Sequence, residues 1–195
     1  MLQRACVAAA VALALVAPAA IAAPIIYVES AVISDGTLNG TSINGQTLIL
    51  YGRGDTADIG GGAPTFEVPL ADLTFTLSGG VSGTVSGSTF AFNDPLTTLF
   101  GLSVTGVADV LDLQAPELAT YALGFLEPIT GTPLLSPGIA IPTSAGDLIL
   151  NIASQGTLRA VPEPASAGLV GAGFIALYVI IRRRSARKRR QTLAS

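Results

Sequence analysis

Along most of this chain the hydrophobic positions recur at every second residue. Leu73, Phe75 and Leu77 alternate with Thr74, Thr76 and Ser78, and Phe66, Val68 and Leu70 alternate with Thr65, Glu67 and Pro69. This is the pattern of half-buried strands rather than of helices. Between Leu70 and Leu73 the alternation slips by one residue. The slip predicts a bulge or bend near Ala71-Asp72, because the apolar set would otherwise change face. Ser78-Gly79-Gly80 then reads as a hairpin loop. A three-residue loop opposes Leu77 to Val81, Phe75 to Gly83 and Leu73 to Val85, which keeps one face apolar and lets the Phe75 ring cover a glycine. That register is the predicted one.

The same logic supplies the other strands. Ile26, Val28 and Val32 mark one that ends at Asp35-Gly36 or runs on to a turn at Asn39-Gly40, and Thr41 to Gly52 carries a second, interrupted at Asn44-Gly45. Val81 to Phe92, Leu99 to Val110, Tyr121 to Phe125 and Leu148 to Arg159 follow, with Phe100, Leu102, Val104 and Val110 expected on one face. The one helix-like hint in this stretch is Ala115 to Ala119, with Pro116 at a first-turn position. Pro128 to Pro142 holds four prolines and reads as a long loop or an irregular edge crossing. The expected class is all-β, an antiparallel β-sandwich.

The alternation stops at both ends of the chain. Met1 to Ala22 has Arg4 as its positive end, an apolar stretch from Ala5 to Val16, and small residues at Ala20 and Ala22, the layout of a secretory signal peptide over 1–22. Its expected partners are the general secretion machinery and signal peptidase. Cys6 is the single cysteine and leaves with this segment, so the mature chain has no thiol for disulfides, nucleophilic attack or metal binding. At the other end, Ala165 to Ile181 carries no charge and meets a basic cluster of Arg182, Arg183, Arg184, Arg187, Lys188, Arg189 and Arg190. As a helix, 165–181 would rise about 26 Å against a hydrocarbon core of about 30 Å, enough to span membrane lipid with slight thinning. The arginines stay on the cytoplasmic side, so the body, 23–160, is expected outside.

Between body and helix lies Val161-Pro162-Glu163-Pro164-Ala165-Ser166. The succession of this box (161–166), the small-residue and apolar helix (165–181) and the basic cluster (182–190), followed by the tail 191–195, resembles the PEP-CTERM sorting signal of Gram-negative bacteria that make extracellular polysaccharide. The resemblance implies that Pro162, Glu163 and Pro164 are read by a membrane transpeptidase of the exosortase type. It also implies an inner-membrane-anchored precursor whose body passes to the envelope, the surface or the extracellular matrix. The tail is longer than many in that family.

Charge and missing residue types narrow the chemistry. The body holds twelve acidic residues against Arg53 and Arg159, a net −10, which disfavours nucleic acid as a partner. The chain has no histidine and no tryptophan, which removes the usual general base, imidazole metal sites and the commonest aromatic wall of sugar clefts. The body is therefore expected to be non-catalytic and to need no cofactor, serving as a structural or adhesive component among extracellular polysaccharide or biofilm. The alternative is a calcium- or carbohydrate-binding module, with a hydrolase a more remote case. Asp55 and Asp58, with Asp35 as a third, or else Asp109 and Asp112, are the candidate oxygen ligands for calcium. Loop aspartates also cap turns, the competing role for the same residues.

Overall fold

The computed structural model describes residues 24–62 and 65–163. The signal peptide with Ala20 and Ala22, Pro164, the expected helix 165–181, the basic cluster and the tail lie outside the described residues. The strands are β1 (Pro24–Leu38), β2 (Thr41–Ser42), β3 (Thr47–Asp55), β4 (Gly60–Gly62), β5 (Thr65–Pro69), β6 (Asp72–Leu77) and β7 (Ser82–Thr84). They continue with β8 (Thr89–Asp94), β9 (Leu99–Val104), β10 (Ala108–Gln114), β11 (Leu126–Leu134), β12 (Ala140–Thr143) and β13 (Gly146–Pro162). Short 3-10 turns occupy Thr56–Asp58 and Pro116–Thr120. Among the described residues no helix is long and apolar enough to cross a membrane.

The neighbours run β4-β5-β8-β9-β10-β11-β13-β1-β3-β6-β7, with β12 on β13 and β2 on β1. The pairings are antiparallel, and the sheet forms a half-barrel. Its β1–β3–β6 part and its β8–β9–β10 part bury their side chains in one shared core. There the Tyr27 ring meets Phe100 at 5.6 Å between centroids, and Phe100 meets Tyr121 at 6.3 Å. Strand β11 pairs with β10 on one side and β13 on the other, so it joins the two parts.

The hairpin after β6 has the register that the alternation predicts. Phe75 pairs with Gly83, Leu77 N–H donates to Val81 O at 2.8 Å, and Val85 N–H donates to Leu73 O at 2.8 Å. The slip at Ala71 is a bend through which the chain leaves β5, paired with β8, and enters β6, paired with β3. The apolar set changes position because the chain crosses from one part of the sheet to the other.

Elsewhere the expectations need correction. The strand marked by Ile26, Val28 and Val32 runs on to the Asn39-Gly40 turn, but its buried residues are Ile25, Tyr27, Glu29, Ala31, Ile33, Gly36 and Leu38, while Ile26, Val28 and Val32 face outward and are half-buried. An interior strand with apolar side chains on both faces cannot be oriented by alternation, and here the large Tyr27 sets the inward side. Leu99 to Val110 is a hairpin, turned at Thr105-Gly106, where Gly106 takes a φ of 74°. Val110 nevertheless shares the core with Phe100, Leu102 and Val104. Val81 to Phe92 is likewise divided, at Gly87 with a φ of 102°, between β7 and β8. Tyr121 to Phe125 is irregular, and the proline-rich stretch after it carries β11 and β12. Pro128 sits where the β11–β13 register shifts between Leu126 and Ile129, and Pro142 lies in the four-residue β12. Both are places where a missing N–H costs little.

Candidate functional site

Three candidate sites follow from this fold, one where its two ends meet, one inside the core and one on its outer face. Strand β1 begins where β13 finishes: Ile25 pairs with Pro162 and Ile26 with Val161. On the other flank of β1, Pro24 pairs with Asp55, Ile25 with Gly54 and Ile26 with Arg53. The first two residues of the box are therefore strand, and Glu163 follows directly. Its N–H donates to Pro24 O at 3.0 Å. Its Oε1 accepts from Arg53 Nε at 2.7 Å, while Arg53 Nη1 donates to Asp72 Oδ2 at 3.2 Å. Arg53 thus reaches over β1 and holds two carboxylates with one planar fork, a geometry that a guanidinium supports and an ammonium does not. The Glu163 hydrogen bond and charge, aided by Asp72, raise the Arg53 pKa above its ordinary value.

A groove of about 410 Å3 opens beside this contact, lined by residues including Pro24, Arg53, Asp55, Asp58, Leu70 and Glu163. Asp55 Oδ1 accepts from Ala57 N–H at 2.9 Å, capping the 3-10 turn. This is the turn-capping role. Asp35 is not close to this pair. It lies toward the far end of β1, eleven residues or about 36 Å of strand from the register partner of Asp55, and accepts from Asn151 Nδ2 at 3.0 Å. Among the described residues no three carboxylates converge as a metal cage would require.

The second set of groups lies within the core. Glu29 is fully buried on the inner face of β1, and neither of its carboxyl oxygens has a hydrogen-bond partner among the described residues. Burial, reinforced by the charge of Asp112, raises its pKa well above the ordinary carboxylate range. Asp112, on β10, is 8% exposed; burial and then Asp109 push its pKa up to about 8. The Asp109 charge thus disfavours a charged Asp112 and adds to the effect of burial. Asn93 is also buried and donates from Nδ2 to Leu118 O at 3.1 Å and Tyr121 O at 2.7 Å, tying β8 to the Pro116–Thr120 turn. Tyr27 Oη donates to Leu123 O at 2.7 Å, and burial raises the pKa of this phenol.

The sequence reading did not single out Glu29 or Asn93. The signal for Glu29 was present, since Ile25, Tyr27, Glu29, Ala31 and Ile33 form one parity. A second groove, of about 350 Å3, lies on the outer face across β3, β1, β13 and β11. Tyr51, Ser30, Thr157 and Arg159 are among its lining residues, so it offers one aromatic side chain, hydroxyls and a cation. In comparisons with known protein families, with characterised proteins and with solved structures, nothing matches this chain.

Proposed function

We propose that this chain is an exported, non-catalytic protein of the cell envelope or extracellular matrix, delivered by its signal peptide and held by its C-terminal helix. An exosortase-type transpeptidase then reads Pro162, Glu163 and Pro164. The body needs no cofactor, lies outside the cytoplasm, and acts as a structural or adhesive component among extracellular polysaccharide. The β1–β3–β6 and β8–β9–β10 parts serve as the two layers of a sandwich.

The observation that carries the reading is the order of box, uncharged run and basic cluster in residues 161–190. The pairing of Ile25 with Pro162 supports it, because the first described strand then starts beside the end of the last, so that both flanking sequences join the body at one end. Replacing Pro162, Glu163 and Pro164 together with alanine should leave full-length precursor in the membrane fraction on a blot from the producing cells. Release at the wild-type rate would overturn the sorting role.

The outer groove favours a second reading, a carbohydrate-binding body in the same location. Stacking on Tyr51, with hydrogen bonds from Arg159 and the hydroxyls of Ser30 and Thr157, is the chemistry by which such a face would hold a sugar. Calorimetry with matrix polysaccharides should then give heats that Tyr51→Ala abolishes. Equal heats from the variant would remove this groove as the site.

A further inference from the structure

The first three residues of the box, Val161 to Glu163, are not a free linker in the folded protein, and this changes how they can be read. A transpeptidase needs the main chain on either side of its target bond extended and unpaired. Val161 and Pro162 are instead laddered onto Ile26 and Ile25, and the Glu163 N–H is committed to Pro24 O at 3.0 Å. The Glu163 carboxylate is already neutralised by Arg53 at 2.7 Å, and its side chain is only 18% exposed. Arg53 is itself braced by Asp72 at 3.2 Å, across the β3–β6 ladder. The far edge of this stretch is less occupied, since the β11–β13 pairing reaches Ala160, opposite Leu126, and stops. Three bonded groups therefore keep Glu163 on the body: a guanidinium, a carbonyl at the head of β1, and the ladder behind it.

We infer that Arg53 is a latch on the sorting box: it keeps Glu163 docked against the first residues of β1, so that cleavage or transfer has to await the peeling of the last residues of β13. The inference rests on the sorting role proposed above and assigns Arg53 as the residue that sets how readily the box is surrendered. Asp72 is the brace that aims the guanidinium. The same contact makes release sensitive to whether the body has folded, because Arg53, Pro24 and Glu163 meet only when β3, β1 and β13 are side by side.

The test uses the full-length protein. In a pulse-chase in the producing cells, Arg53→Gln should speed conversion of precursor to released body by about two- to fivefold, the scale of one exposed ion pair. Arg53→Lys keeps the charge but not the fork, and should fall between. In detergent micelles, hydrogen exchange of the Arg53→Gln protein should rise over 24–26 and 161–163 while the β9–β10 hairpin stays protected. If Arg53→Gln loosens the whole body, Arg53→Lys becomes the deciding variant in both measurements. Conversion at or below the wild-type rate, with the box variant still blocked, overturns the latch and leaves the sorting role standing. Normal processing of the box variant overturns both.

Discussion

Glu29 places a fully buried carboxyl on the inner face of β1. With no hydrogen-bond partner among the described residues, its carboxyl holds its proton to higher pH than in water, because ionising it there costs far more. Together with Asp112 it fixes the sign of the pH dependence. Both groups have folded pKa values raised above their unfolded ones, so the unfolded chain releases protons first as pH rises. Their contribution is fully present below about pH 4 and is lost as pH climbs toward about 8, where Asp112 titrates. The urea midpoint of the full-length protein in detergent should be highest in mild acid and fall toward pH 8, by a few kcal/mol in unfolding free energy. Asp112→Asn should flatten that fall. Glu29→Met, of similar volume, should raise stability by about 1–3 kcal/mol already at pH 4, where the neutral carboxyl still lacks a partner among the described residues, and by more at pH 8. A midpoint that rises with pH in the wild type would mean that these carboxyls are ionised in the fold.

Among the elements, the β6–β7 hairpin shows what alternation can and cannot reveal. Its register was legible because only one loop length kept Leu73, Phe75 and Leu77 facing apolar partners, and because Gly83 leaves room for a ring. A Cβ on Gly83 would lie 2.8 Å from Phe75 Cε1, and Phe75 is only 1% exposed, so the ring would have to shift within the core. Gly83→Ala should therefore cost about 1–3 kcal/mol, read as a lower denaturant midpoint with an unchanged slope. An unchanged midpoint would show that the ring is free to shift. Illegible elements failed for identifiable reasons. Thr105-Gly106 is a weak turn signal inside an apolar run, so β9 and β10 read as one strand. Prolines at 128, 133, 137 and 142 argued against strands, yet Pro128 sits at a register shift, Pro133 on β11 opposite Leu113, and Pro142 on a short outer strand. The Glu163–Arg53 contact, between residues 110 positions apart, follows from strand order, which no local pattern encodes.

At the scale of the whole molecule, charge is divided: the body, 23–160, holds twelve acidic residues against Arg53 and Arg159, while the basic cluster lies beyond it in the sequence. Like charges repel across the body's surface, and this repulsion opposes the compact state unless it is screened. Raising salt from about 0.01 M to about 0.5 M should increase the urea midpoint at pH 7, since the repulsion outweighs what the Arg53 ion pairs lose to screening. A lower midpoint in high salt would reverse that balance.

The antiparallel pairing of β1 with β13 also decides how the body bears load. A pull applied between Pro24 and Glu163 opens the ladder from its end, one rung at a time, and meets little resistance. Tension running from the Asn39-Gly40 tip to the C-terminal side acts along the strands instead, across bonds that lie perpendicular to them, and must break many together. The same fold is soft to unzipping at its root and stiff to stretching along its length.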